Sequence, residues 1–131
     1  MGRKKVHMEF ILNNATSRNI LWNAISTPSG LQGWFADGVS RKESEMTFRW
    51  GRSERRRAEI TAMRTYSHIR FRWLDGEEVG EGEFFELRMT YSELTNDYML
   101  EVTDFAEEDE EQDLRELWQS QIDRLRRNYG F

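Results

Sequence analysis

The apolar residues of this chain recur with two different periods, and each change of period marks a predicted element. Over residues 6–12 every second side chain is apolar, which predicts a β-strand with one buried face. Helical spacing replaces this alternation over residues 20–25, and Thr16 is the predicted N-cap. Thr27 followed by Pro28 predicts the cap and the first position of a second, shorter helix.

Alternation with a period of two returns near residue 45 and continues to about residue 103. Turn residues such as Asp75-Gly76 and the glycines of 80–82 separate the alternating segments, so we expect sequential antiparallel strands. The residues between the apolar ones are charged and change sign from strand to strand, which predicts a solvated outer face. The alternating segments are 46–50, 58–62, 69–73, 85–91 and 98–102.

The last predicted element is a long amphipathic helix from Leu114 to Leu125, whose apolar residues fall at i, i+3, i+4, i+8 and i+11. A sheet with one apolar face must have that face covered, and this helix is long enough to cover it. We therefore predict an α+β fold. In this fold a curved antiparallel sheet of about six strands wraps around a long C-terminal helix, with two short helices after the first strand.

Length, charge and cysteine content narrow the class of protein. The 131 residues predict one domain, residues 1–131. With no cysteine, disulfides and thiolate metal ligands are excluded, and a cytoplasmic location is expected. The 24 acidic and 19 basic residues give a net charge of -5, which argues against nucleic acid as a partner. No apolar run reaches the roughly 18 residues of a membrane-spanning helix, so no membrane insertion is expected.

The segments 21–28 and 33–36 carry a resemblance to a known family. They contain Trp22, the Thr27-Pro28 pair and the Trp34-Phe35 pair, in the order found early in START-like (SRPBCC, helix-grip) domains. The sequence most resembles the branch related to the C-terminal domain of the heat-shock-protein ATPase activator. This resemblance extends over nearly the whole chain and implies the same helix-grip fold. Family members include carriers of hydrophobic ligands, polyketide cyclases and co-chaperone modules, so the family alone leaves the activity open.

The predicted site is the space between the sheet and the closing helix. Aromatic and methionine side chains form large apolar walls that suit a lipid-like or polyketide-like ligand. The same side chains can also fill the space and leave a solid core, and the sequence does not choose between the two. Gln121 lies on the apolar stripe of the helix and is the candidate polar contact. The predicted lining residues are Trp34, Phe35, Phe48, Trp50, Phe71, Trp73, Phe85, Leu87, Met89, Trp118, Gln121, Ile122 and Leu125.

Catalytic and metal chemistry find little support in the sequence. The two histidines, His7 and His68, are predicted to point away from the core, and their spacing does not suit a metal site. There is no nucleophile elbow and no glycine-rich phosphate loop. Glu83 and Glu86, near the glycines of 80–82, are the acids best placed for acid–base work. We predict no catalytic residue, no metal and no cofactor.

Three functions remain open at this point. The first is a non-enzymatic binding domain for a small hydrophobic molecule. The second is a co-chaperone-like protein-interaction module with a filled core, whose partner docks on Arg55, Arg56 and Arg57 or on the acidic stretch from Asp104 to Asp113. The third is a cyclase-like or hydrolase-like enzyme, which needs an ionisable residue buried beside the cavity. The oligomeric state is left open.

Overall fold

The alternating segments form one antiparallel sheet in the computed structural model, which describes residues 2–76 and 82–131. A short 3₁₀ turn, Glu108–Glu110, joins the last strand to the closing helix. The predicted turn at Gly80 and Glu81 lies outside the described residues. The elements are β1 (Arg3–Leu12), α1 (Arg18–Ser26), α2 (Pro28–Gln32), β2 (Gly38–Lys42), β3 (Glu45–Trp50), β4 (Glu54–Arg64), β5 (His68–Trp73), β6 (Phe85–Ser92), β7 (Asp97–Glu107) and α3 (Glu111–Tyr129).

The strand order in the described residues is β1-β7-β6-β5-β4-β3-β2, and every neighbouring pair is antiparallel. The first strand therefore pairs with the last, while β2 to β7 follow one another as hairpins. The α+β helix-grip prediction is confirmed, with seven strands in place of about six. The additional strand is β2, whose residues Gly38–Lys42 include a single large apolar side chain, Val39, and so show no alternation.

The two faces of the sheet differ in chemistry, as the alternation predicted. Large aromatic side chains on the inner face, among them Phe48, Phe71 and Phe85, are almost completely buried. On the outer face the Glu86 carboxylate lies between two guanidiniums, 2.8 Å from Arg70 and 3.2 Å from Arg88. Cross-strand pairs of this kind each contribute a few tenths of a kcal/mol, up to about 1. The charged face is thus stabilised without a second apolar layer.

The helix α3 covers the inner face and also protects the edge of the sheet. Its buried residues, Trp118, Gln121, Ile122 and Leu125, face the core. β1 is an edge strand, and the peptide groups along such an edge invite another strand to pair. Arg115 donates to the His7 carbonyl at 3.3 Å and Arg126 donates to the Ile11 carbonyl at 2.7 Å. The closing helix therefore occupies acceptors that a foreign strand would use.

The two short helices meet at a glycine. The side chain of Ser17, not the predicted Thr16, caps α1 by accepting from the Ile20 amide. Thr27 caps α2 as predicted, accepting from the Gly30 amide at 3.0 Å, and Pro28 occupies the first position of the helix. A Cβ atom on Gly30 would lie 1.8 Å from the backbone oxygen of Asn23. This close approach allows no side chain at that position.

The variant Gly30→Ala is expected to lower the free energy of unfolding by about 2–4 kcal/mol, because α1 and α2 must separate to admit the methyl group. Chemical denaturation followed by circular dichroism measures the loss. Ser29→Ala, at an exposed position on the same helix, is the control and should change the value by less than about 0.5 kcal/mol. Equal stability of Gly30→Ala and the wild type would contradict the assigned helix contact.

Candidate functional site

A partly enclosed cavity of about 550 Å³ lies between the inner face of the sheet and the N-terminal half of α3. Small-molecule sites usually measure roughly 300–1,000 Å³, so this volume is in the ordinary range. Ten of its described lining residues are apolar or aromatic, and the others are acids, two arginines and one glutamine. The apolar lining residues are Phe35, Trp50, Trp73, Phe84, Phe85, Phe105, Ala106, Leu114, Leu117 and Trp118.

Phe35 is the central aromatic ring of the cavity wall. Its ring stacks on Phe85 at 5.5 Å and on Trp118 at 5.6 Å between centroids. Its carbonyl accepts hydrogen bonds from the Trp50 indole at 2.9 Å and from the Gln121 amide at 3.2 Å. The segment after α2 is thereby tied to the sheet and to α3 at once. Trp50 and Gln121, two of the polar side chains of the wall, thus already have hydrogen-bond partners.

The structure divides the thirteen predicted lining residues, all of them described, into two groups. Six border the cavity: Phe35, Trp50, Trp73, Phe85, Trp118 and Gln121. The other seven pack in the filled core: Trp34, Phe48, Phe71, Leu87, Met89, Ile122 and Leu125. The space between sheet and helix is thus solid at one end and open at the other.

Asp104 borders the cavity and was missed as a site residue. In the sequence it belongs to the acidic stretch from Asp104 to Asp113, considered there only as a docking surface, but β7 continues to Glu107 and includes it. The signal was available, because Asp104 continues the inward alternation of Leu100 and Val102 along the strand. Its Oδ2 accepts from the Trp118 indole at 2.9 Å, and its Oδ1 accepts from the Phe105 amide at 2.8 Å.

Burial raises the pKa of the Asp104 carboxyl to about 6. The hydrogen bonds from Trp118 and Phe105 act in the opposite direction, as does the charge of Arg3, but they do not outweigh the loss of solvation. The negative charge of Glu83 raises the pKa further. Asp104 is thus a partly buried ionisable group beside the cavity, a position for which the sequence offered no firm candidate.

Both arginines in the cavity lining are already engaged. Arg3 pairs with Glu83 through two bonds, Nη2 to Oε1 at 2.8 Å and Nε to Oε2 at 3.0 Å. The Arg56 guanidinium lies 4.1 Å from the ring centroid of Trp73, and it donates to the Asp75 carbonyl at 3.1 Å. Both guanidiniums are therefore held in place by contacts within the chain.

The two acids named in the sequence as best placed for acid–base work lie in different places. Glu83 borders the cavity, whereas Glu86 lies on the outer face of the sheet.

Several of the charged side chains named as possible docking sites for a protein partner form ion pairs within the chain. Arg57 pairs with Asp75 at 2.9 Å and with Glu45 at 3.5 Å. In the acidic stretch, Glu111 pairs with Lys4 and with Arg115, and these cations lower the pKa of its carboxyl. Arg55 is exposed. Two of the three arginines expected to bind a partner, Arg56 and Arg57, therefore already form contacts within the chain.

One group of possible metal ligands occurs in the described residues. His7, Glu9 and Glu101 bring three ligand atoms within 4.8 Å of one another. His7 and Glu9 are exposed, and all three lie on the charged outer face of the β1–β7 pair. Nothing encloses an ion there, and we assign no metal to this group. His7 Nε2 lies between the two carboxylates, 3.5 Å from Glu9 Oε1 and 3.3 Å from Glu101 Oε1.

The fold agrees with the comparison to known families. A model of the START-like superfamily domain matches residues 1–130. The chain belongs to this superfamily. No curated protein matches the chain. In the described residues no helix is both long and apolar enough to cross a bilayer.

Solved structures similar to this START-like chain span a wide range of identity. BfR322 from Bacteroides fragilis is 53% identical, with a TM-score of 0.69, and the match covers 100% of this chain and 94% of that one. The Aha1 dimer from Colwellia psychrerythraea is 15% identical, with a TM-score of 0.71 and coverage of 91% and 90%. DynU16, from the dynemicin biosynthetic locus, is 19% identical, with a TM-score of 0.75 and coverage of 94% and 46%. The last two likenesses show the fold alone.

The variant Asp104→Asn is expected to stabilise the protein at pH 7.5 but not at pH 4. The raised pKa means that the folded state holds this proton more tightly than the unfolded chain does. The contribution of Asp104 to stability is therefore complete below the unfolded pKa and is lost as the pH rises through about 6. The difference between variant and wild type should grow by up to roughly 2–3 kcal/mol across this window.

Urea denaturation of both proteins at several pH values measures this difference. Asp113→Asn removes the same charge from an exposed position on α3 and serves as the control for net charge. A stability difference that stays flat between pH 4 and 7.5 would show that the Asp104 carboxyl is well solvated.

Proposed function

We propose that this START-like domain is a non-enzymatic binding domain that holds a small, mainly apolar molecule between the sheet and α3. The observation that carries the proposal is the cavity of about 550 Å³ with its aromatic wall. Burying apolar surface contributes about 25 cal/mol per Å², and aromatic walls supply much of that surface. A fused-ring polyketide-like molecule or a lipid-like molecule has the matching chemistry.

The hydrogen bonds of the wall support binding, because they keep the cavity open before a ligand arrives. The Trp118 indole is held by Asp104 and the Trp50 indole is held by the Phe35 carbonyl. Neither ring can turn into the empty space without breaking a bond. A wall fixed in this way loses little conformational freedom on binding, and this raises affinity.

The two other candidate functions have weaker support. A protein partner docking on Arg55, Arg56 and Arg57 would compete with the contacts of Arg56 to Trp73 and of Arg57 to Asp75. A cyclase-like or hydrolase-like enzyme would find two largely buried acids at the cavity, of which Glu83 is paired with Arg3, and would have to use Asp104. The described lining does not pair it with a histidine, the commonest proton-transfer residue. We also propose a cytoplasmic location, in keeping with a cysteine-free sequence.

Ligand binding is tested by native mass spectrometry of freshly purified protein, followed by titration with a sterol, a long-chain alcohol and a fused-ring polyketide. Trp50, Trp73 and Trp118 border the cavity, so a bound molecule should change the tryptophan fluorescence. Ala106→Leu places three more carbon atoms at a buried position in the lining. We expect it to weaken binding about tenfold by filling the cavity.

Leu94→Ala is the matched control, since Leu94 lies in the turn between β6 and β7 and is 94% exposed. It should bind as the wild type does. The proposal fails if no mass co-purifies and no saturable fluorescence change occurs with any of the three compounds. Equal affinities of Ala106→Leu and Leu94→Ala would show that the ligand binds outside this cavity.

A further inference from the structure

We propose that Asp104 is the polar anchor of the cavity, and that the cavity selects apolar molecules bearing a cationic or hydrogen-bond-donating group over those bearing a carboxylate. This inference rests on the proposed function and deepens it. It assigns the chemical class of the ligand's polar end, which the aromatic wall by itself leaves open.

Asp104 borders the cavity and can accept further hydrogen bonds. Its carboxylate accepts one hydrogen bond at each oxygen, from Trp118 and from Phe105. A carboxylate offers about four acceptor sites, so capacity remains for donors from a ligand. Bonds in which one partner is charged are roughly twice as strong as neutral ones. Asp104 can therefore accept from an ammonium, a hydroxyl or an amide without losing its present contacts.

The charged side chains of the lining favour a cation over an anion. Among the described lining residues are five acids, Glu54, Glu83, Asp104, Glu110 and Asp113, against two arginines. Arg3 is held at two points by Glu83, and Arg56 is held by Trp73 and the Asp75 carbonyl. An entering carboxylate would have to displace one of these contacts and would meet like charge around it. An ammonium group meets opposite charge from the same acids.

The geometry around Trp118 limits the shape of the ligand. The same side chain forms part of the apolar wall and donates to Asp104 over 2.9 Å. A ligand ring packed on this wall would thus have Asp104 beside its edge. A polar group one carbon away from a fused aromatic ring matches this arrangement.

Three probes with one ring system test the inference: 2-naphthylmethylamine, 2-naphthylmethanol and 2-naphthoate. Isothermal titration calorimetry at pH 7.5 and low salt gives the three affinities for the wild type. We expect the amine to bind about tenfold more tightly than the naphthoate, with the alcohol between them. Chemical-shift changes at the indole N–H of Trp118 should be largest with the amine, and this reading needs no variant.

Asp104→Asn should abolish the preference of the wild type for the amine over the alcohol. Asp109→Asn removes an equal charge from an exposed position outside the lining and should keep that preference. Near-ultraviolet circular dichroism checks that both variants retain the packed aromatic wall. A preference lost equally in both variants would overturn the assignment to Asp104, because it would reflect net charge alone.

The outcomes separate this inference from the proposed function. If all three probes bind with similar affinity, or the naphthoate binds best, the selection rule is wrong while the binding cavity stands. If none of the three naphthyl probes binds, and the sterol, the long-chain alcohol and the fused-ring polyketide also fail to bind, the cavity is not a binding site. The inference then fails together with the proposed function.

Discussion

The hydrogen bond between the Trp118 indole and Asp104 joins the closing helix to the last strand where the solid core ends and the cavity begins. On the core side, the ring of Trp118 stacks against Phe35 and lies near Phe85. On the other side it forms part of the cavity wall. A tryptophan that lacked this acceptor would leave a donor without a partner or would turn its ring toward solvent. The open space therefore depends on one polar contact between two elements.

The fold also explains why the acid at that position remains charged only at some cost in stability. Asp104 faces inward on β7, as the apolar residues before it do, and so it loses much of its hydration. An acid with a raised pKa destabilises the folded state at neutral pH relative to a neutral residue of the same shape. Such groups concentrate at functional sites, where the chemistry they allow compensates for the lost stability. The aromatic wall and the acid next to it are together the basis of the proposed ligand binding.

Elsewhere the polar groups are accounted for within the chain. No buried side-chain nitrogen or oxygen lacks a partner in the described ranges. Gln121, the polar residue on the apolar stripe of α3, donates to the Phe35 carbonyl. The free edge of β1 is covered by Arg115 and Arg126 from the same helix. The closing helix thus contributes to the core, to the cavity wall and to the protection of the sheet edge.

Local sequence determined the elements, because the period of apolar residues follows from backbone geometry. The two short helices with their Thr27 cap, the five alternating strands and the closing helix were all readable in this way. The strand β2 was not, since Gly38–Lys42 has one large apolar side chain and owes its pairing to β3. The helix α3 begins at Glu111, before the predicted Leu114, because the apolar stripe that defined the prediction starts about one turn into the helix.

Only the tertiary structure decided where the core ends and the cavity begins. Phe48 and Trp50 belong to the same alternating segment, yet Phe48 is buried in the core and Trp50 borders the cavity. Their difference comes from the curvature of the sheet and the path of α3, which arise from contacts between residues far apart in sequence. The role of Asp104 is of the same kind. The alternation along β7 already places Asp104 on the inner face of the sheet. Its contact with Trp118 and the cavity beside it form only when the chain folds.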